Sequence, residues 1–161
     1  MRFLYKGQRG FTLLEIVFAV AIVAILASVV LANISEAKKK SRDTQRISDL
    51  QQIQVALKMY RQVNSSDFPS HSDDAINGGS GVEDDISSYL TNTIKDPLSG
   101  TTGYEYYYDD SYSCNGSNHA ILIATTMEGT NSGNYNAQCG TTYTTIDGIT
   151  PTANSYVIVL K

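Results

Sequence analysis

A chain of 161 residues has the length of one domain, or of one domain with an anchor. Charged residues make up 17%, where a soluble domain usually carries about 25%, and they are unevenly placed. Residues 1–61 hold 10 Lys+Arg against 4 Asp+Glu, a net of +6, and residues 62–161 hold 2 against 12, a net of −10. The acidic C-terminal half would repel phosphate, which argues against nucleic-acid binding there. One long apolar segment argues against a soluble cytosolic protein.

That segment runs from Phe11 to Ala32, and only Thr12, Glu15 and Ser28 are polar in its 22 residues. A helix of that length spans roughly 33 Å, enough for a bilayer core of about 30 Å. Arg2, Lys6 and Arg9 precede it without an acid, which suits a cytoplasmic N-terminus. Lys38, Lys39, Lys40 and Arg42 crowd the other flank, so charge alone leaves the orientation open. An ordinary secretory signal would have an apolar core of about 7–15 residues; this run is longer, although Val30-Leu31-Ala32 is a passable cleavage site. Glu15 also argues against a secretory signal. A carboxylate inside an apolar run costs a few kcal/mol and marks a functional site unless it is hydrated at the interface.

Lys6-Gly7-Gln8-Arg9-Gly10 followed by Phe11-Thr12-Leu13-Leu14-Glu15 resembles the class III signal of type IV pilins and type II secretion pseudopilins. The resemblance implies cleavage after Gly10 by a membrane prepilin peptidase and N-methylation of the new terminus, Phe11. It also implies that Glu15 meets the N-terminal ammonium of a neighbouring subunit during filament assembly. Physically, two opposite charges in an apolar bundle each relieve the other's desolvation, so pairing favours assembly in register. Pilins often carry a proline about twenty-two residues into the mature chain; here that position is Ala32, which removes any proline-assisted melting of the helix.

After Gly10 no Gly or Pro occurs before Pro69, so residues 12–62 can form one helix, roughly 75 Å long. Asn64-Ser65-Ser66-Asp67 is the expected stop. Ile47, Leu50, Ile53, Leu57 and Tyr60 recur at helical spacing, so they make one apolar stripe that anchors a C-terminal head. Arg42, Gln45, Arg46, Asp49, Gln52 and Lys58 fall largely off that stripe. The Lys38–Arg42 cluster suits lipid phosphates, the acidic heads of neighbouring subunits, or plain solvent at the membrane exit.

The remaining chain is expected to be an α+β head. Residues 64–80 read as a loop, and Ser80-Gly81-Val82-Glu83 as a capping box opening a short helix to about Leu90. Expected strands follow at Tyr104–Tyr108, His119–Met127, Tyr143–Ile146 and Tyr156–Leu160, with Asp147-Gly148 as a turn. Three or four antiparallel strands then pack on one helical face. The fold class is thus a long N-terminal α-helix, membrane anchor plus amphipathic half, with a small antiparallel β-sheet head, pilin-like. Its expected parts are a leader over 1–10, a transmembrane or filament-core helix over 11–32, an amphipathic helix over 33–63 and the head over 64–161. Asp96-Pro97 followed by Tyr104-x-Tyr106 is similar to the stretch after the αβ-loop of major pseudopilins.

Cys114 and Cys139 are the only cysteines. Beyond a membrane anchor such a pair reads as a disulfide, worth roughly 3–4 kcal/mol at best. Two free buried thiols remain an alternative. So does a metal site with His71 and His119, though no CxxC or HxxxH spacing supports one. Because major pseudopilins bind calcium in a C-terminal loop, the resemblance raises Glu128 and Asp147 as weak calcium candidates, with Asn131, Asn134 and Asn136 between them. The chain has no DxDxDG loop, and no other cofactor is expected. No GxSxG, HExxH or P-loop is present, so no enzyme is expected.

The expected function is a structural subunit of a type IV pilus-like or type II secretion pseudopilus filament. Its partners would be identical or related subunits, a prepilin peptidase, the inner-membrane assembly machinery and membrane lipid, with no nucleic acid. It would be a single-pass inner or cell membrane protein with an extracytoplasmic head before assembly, then an extracellular or periplasmic filament. The alternative is a pilin-like surface-binding protein, a minor pilin or adhesin or a DNA-uptake component.

Overall fold

The computed structural model describes residues 10–65, 67–76, 81–114, 116–130, 132–140, 145, 146 and 148–160. Its longest element is α1, Leu13–Val63, one residue later at each end than the Gly- and Pro-free run suggests. Thr12 starts the helix: its Oγ1 accepts the Glu15 N–H at 3.2 Å, satisfying a donor that the first turn cannot. At the other end the Asn64 N–H still donates to the Tyr60 carbonyl at 2.9 Å. The chain then turns at Ser65, whose φ is 58°.

The chain forms two compact units, Met1–Lys38 and Lys39–Lys161. In the first, every described side chain from Leu13 to Ile34 is exposed. Its best 18-residue window has a mean hydropathy of 2.9 and no buried share, long and apolar enough by length and composition to cross a membrane.

The second unit is α+β. Four strands, β1 (Asp74–Ile76), β2 (Tyr106–Cys114), β3 (Ser117–Ala124) and β4 (Tyr156–Val159), lie in the order β1-β2-β3-β4, every neighbouring pair antiparallel. Register explains the layering, because side chains alternate across a sheet. The rows Ile76–Tyr106–Ala124–Tyr156 and Tyr108–Leu122–Ile158 pack with Leu50, Ile53, Ala56 and Leu57 of α1. The stripe expected from sequence is therefore the one that packs, with Ile47 and Tyr60 at its partly buried margin. Burying each such side chain contributes about 1.5–3 kcal/mol.

The opposite face of the sheet is covered too. The row Ala75–Tyr107–Ile123–Val157 packs with Tyr112, Tyr135, Ile146 and the two cysteines. The outer layer includes α3 (Tyr135–Cys139), a helix absent from the elements expected from sequence. Tyr112 and Tyr135 meet edge to face, ring centroids 6.5 Å apart, with their hydroxyls hydrogen-bonded at 2.8 Å.

Other boundaries move as well. The loop expected over 64–80 contains β1. The first Tyr-rich strand begins at Tyr106 rather than Tyr104, runs on to Cys114, and breaks register between Asp109 and Tyr112. The strand expected at 143–146 is reduced, among the described residues, to a bridge between Ile146 and Ile149; Tyr143 and Asp147 lie outside the described residues. Helix α2 (Val82–Ile86) continues as a 3₁₀ turn over Ser87–Tyr89. Ser80 of the expected capping box lies outside the described residues. The observed N-cap is Gly81, and the Asp74 carboxylate accepts the Val82 N–H from across β1. Gly81 has φ +76°, and a Cβ there would fall 1.9 Å from Asp74 Oδ2, so only glycine allows this cap.

Candidate functional site

The expected processing site begins outside the described residues, since residues 1–9 of the leader are among those not described. Gly10 is described. A Cβ built on it meets nothing within 4 Å, and its φ is not in the left-handed region. The fold therefore gives no reason of its own for glycine there. Phe11 is 78% exposed, and Thr12 caps the helix one residue later.

Glu15 sits in the first turn of α1, three residues after the cap, where its backbone N–H is the group that Thr12 holds. A carboxylate at that position is favoured by the helix dipole. Thr12-Leu13-Leu14-Glu15 thus has the capping-box pattern, a signal the sequence reading applied only to residues 80–83. Glu15 is exposed, and among the described residues no cation lies within salt-bridge distance of it.

In the second unit the structure builds a buried charge network that sequence reasoning missed. The Arg46 side chain has no exposed surface, yet it contacts three carboxylates. Its Nε donates to Asp96 Oδ2 at 2.6 Å and its Nη2 to Asp96 Oδ1 at 3.0 Å, a two-pronged pair. Its Nη1 donates to Asp43 Oδ1 at 2.6 Å and Glu128 Oε1 at 3.0 Å. The Tyr104 ring lies 5.0 Å from its guanidinium carbon. Arg42 grips the same Glu128 with Nε at 2.6 Å and with Nη2. The Asp43 carboxylate also accepts the N–H groups of Glu128 and Gly129, at 2.9 and 2.7 Å.

Burial opposes the Arg46 charge, but Asp96, Glu128 and Asp43 outweigh it, so the guanidinium is held protonated well above its ordinary range. Hydrogen bonding from Arg42, and then from Arg46, pulls the Glu128 carboxyl down to about 2 against the opposing effect of burial. Nearby Asp49 behaves in the opposite way. Burial raises it, the Tyr106 hydroxyl at 2.9 Å partly offsets that, and Asp96 adds repulsion.

These positions change two expectations. Arg42, Arg46 and Asp49 had been placed with a polar face off the stripe; Arg46 is instead the centre of the inter-element clasp. Glu128, raised as a weak calcium candidate, is taken up by two guanidiniums. Asn134 pairs with the β4 backbone, donating to the Val157 carbonyl at 2.9 Å and accepting its N–H at 2.6 Å. Asn131 and Asp147 lie outside the described residues. Among the described residues no group of three His, Cys, Asp or Glu is placed to hold a metal. His71, raised as a metal-site alternative, has its Nε2 3.0 Å from Asp85. Cys114 and Cys139 are joined in a disulfide with Cα atoms 4.4 Å apart, tying the end of β2 to the end of α3.

Residues 5–31 match the prokaryotic N-terminal methylation motif. The chain is 40% identical over 63 residues to the type II secretion system core protein G of Pectobacterium carotovorum, covering 39% of this chain and 40% of that one. It is 45% identical over 60 residues to the core protein G of Klebsiella pneumoniae, covering 37% and 43%. It is 36% identical over 61 residues to the major component of the type IV wide pilus of Thermus thermophilus, covering 38% and 47%. In each case the chain spans less than half the length of the curated relative it matches. No solved structure matches the chain. The prepilin-type N-terminus, the long apolar helix and the α+β head together make this chain similar to type IV pilins and type II secretion pseudopilins.

Proposed function

We propose that the chain is a structural subunit of a type IV pilus-like or type II secretion pseudopilus filament. One observation carries the reading: the methylation motif over residues 5–31 leads into a helix whose described side chains from Leu13 to Ile34 are apolar nearly throughout and exposed all round. A helix that is hydrophobic on every side needs lipid or other helices around it. A membrane supplies the first before assembly, and like subunits supply the second afterwards. On this reading a prepilin peptidase cuts after Gly10, Phe11 becomes the methylated terminus, and inner-membrane machinery extracts the subunit. The head lies outside the cytoplasm, where a disulfide is stable.

Glu15 is the assembly residue. No Lys or Arg lies between Phe11 and Lys38, so the nearest cation is a mature Phe11 ammonium. Its own lies about 6 Å along the axis, and a neighbour's, displaced along the filament, comes closer. Pairing then favours incorporation of each subunit in register.

Intact-mass analysis of the protein from its native membrane tests the processing step. The expected species lacks residues 1–10 and carries one added methyl group. Cleavage after Ala32 would contradict the reading.

A further inference from the structure

Between α1 and the segment that follows α2, the second unit carries an open groove of about 350 Å³, within the range of small-molecule sites, roughly 300–1,000 Å³. Its α1 wall is Ser48, Gln51, Gln52 and Val55, and Tyr89, Leu90 and Thr91 face them. A second depression of about 230 Å³ adjoins it across Leu90 and Thr91, with Asn92 and Thr93 on its rim and Glu83 among its lining residues. The core holds the outer wall in place. Ile86 and Ile94 are buried in the same cluster as Leu50, Ile53 and Leu57, so the segment between them is pinned at both ends. Tyr89 and Leu90 pack partly against that cluster, while Thr91, Asn92 and Thr93 are exposed. The groove's polarity is of one kind. No Lys, Arg or His lines either depression, so nothing there holds a phosphate or a carboxylate. Carboxamides and hydroxyls dominate, groups that both donate and accept hydrogen bonds. Among the described residues, the side chains of Gln51, Gln52, Thr91, Asn92 and Thr93 make no hydrogen bond within the chain. Asn134 and Asn154, by contrast, are spent on holding loops.

We propose that this double groove binds a neutral oligosaccharide, with two linked sugar rings occupying the two depressions. A sugar ring carries hydroxyls around its edge and C–H groups on its faces. The edge matches the amides of Gln51, Gln52 and Asn92 and the hydroxyls of Thr91 and Thr93, which pair with it in both directions. The faces match Val55, Leu90 and the Tyr89 ring, whose hydroxyl adds a polar tip to an apolar body. Other ligand classes fit less well. An apolar segment laid in the groove would strip water from the amides and leave them unpaired. An anion would find no cation and would meet Glu83. The site is independent of the filament reading: it gives the head a ligand-binding activity that a purely structural subunit does not need.

The test is a methyl-detected NMR titration of the full chain in detergent. The probe is N,N′-diacetylchitobiose, a neutral disaccharide that offers hydroxyls and acetamides together. Saturable shifts are expected at the Val55, Leu90 and Thr91 methyls, with a dissociation constant of roughly millimolar. The core methyls of Ile53 and Leu122 are expected to stay still, and they also report that each variant is folded. Gln52→Ala removes an exposed amide, and Thr91→Val removes an exposed hydroxyl at nearly constant shape. Each is expected to weaken binding about fivefold or more. Gln138→Ala, on the exposed side of α3, is expected to bind as wild type. N-acetylneuraminic acid, which carries a carboxylate, is expected to leave the groove methyls unmoved. No saturable shift with the disaccharide, shifts centred elsewhere on the head, or unchanged affinity in both groove variants would overturn the proposal. Equal binding of N-acetylneuraminic acid would overturn it as well, since the groove would then not select a neutral sugar.

Discussion

Arg46 and Asp96, 50 residues apart in sequence, form a doubly hydrogen-bonded ion pair with side chains 0% and 2% exposed. A guanidinium with no access to water depends wholly on its carboxylates. Replacing Arg46 by Ala strands Asp96, Asp43 and Glu128 around an empty site, and the expected loss is about 3–5 kcal/mol. Arg46→Lys keeps the charge but loses the fork, so it is expected to fall between Ala and wild type. Thermal unfolding of the purified full chain, followed by circular dichroism, ranks the three.

Acid should destabilise the head through Glu128. Its carboxyl is held down to about 2 by Arg42 and then Arg46, below an ordinary value of about 4.3. A depressed carboxyl contributes stability above its unfolded value and loses it as pH falls toward the folded one. The head is therefore expected to lose stability between about pH 4.3 and 2. Glu128→Gln should cost about 1.5–3 kcal/mol at neutral pH and show a flatter acid limb. Asp49 has the opposite sign: burial raises it, so protonating it on acidification favours the folded state. Denaturant titrations of wild type and Glu128→Gln from pH 7 to 2 compare the slopes.

The disulfide adds a covalent tie to an outer layer that is also held by the buried Tyr135 and Ile146 and by the Asn134 bonds to β4. Helix α3 is only five residues long, far below the length at which a helix holds itself. Replacing Cys114 and Cys139 by Ser is expected to cost roughly 3–4 kcal/mol at best. The effect should concentrate on α3 and the Tyr112–Tyr135 contact, leaving the α1 side of the sheet protected. Hydrogen exchange of the two variants reads this directly, and equal protection of α3 in both would contradict it.

Helix α1 and the α1 face of the sheet were legible because their signals are local. The Gly- and Pro-free run sets the bounds of α1, and the spacing of Leu50, Ile53 and Leu57 sets its buried side. The rest depends on distant partners. Arg46 looks like a solvated residue until Asp96 and Glu128 arrive 50 and 82 residues later. Strand β1 is three residues long and exists by pairing with Tyr106–Tyr108. Three consecutive tyrosines, all buried, carried an unread signal: neighbouring strand residues face opposite sides, so both sides of the sheet had to be covered. At the N-terminus Gly10, Phe11 and Glu15 stood out by motif, whereas the capping-box pattern of Thr12 and Glu15 went unread until the geometry showed the cap.

Thr12 offers a graded test of that cap. Thr12→Ser keeps the acceptor for the Glu15 N–H and should behave as wild type. Thr12→Val keeps the shape and loses the acceptor, at an expected cost of about 1 kcal/mol at the helix start. Amide exchange of Leu14, Glu15 and Ile16 in detergent is expected to speed up in the Val variant alone.

The pairing role of Glu15 is the centre of the account, and one measurement addresses it most directly. Wild type, Glu15→Ala and Glu15→Asp are expressed at equal level in the native host, and the sheared filament fraction is compared with the membrane pool. The account predicts that Glu15→Ala is exported, cleaved after Gly10 and folded in its head, yet enters filaments poorly. Glu15→Asp should be intermediate, because it keeps the charge and loses reach. A normal filament yield from Glu15→Ala would make Glu15 a hydrated interfacial acid and contradict assembly through its pairing with a neighbour's Phe11 ammonium.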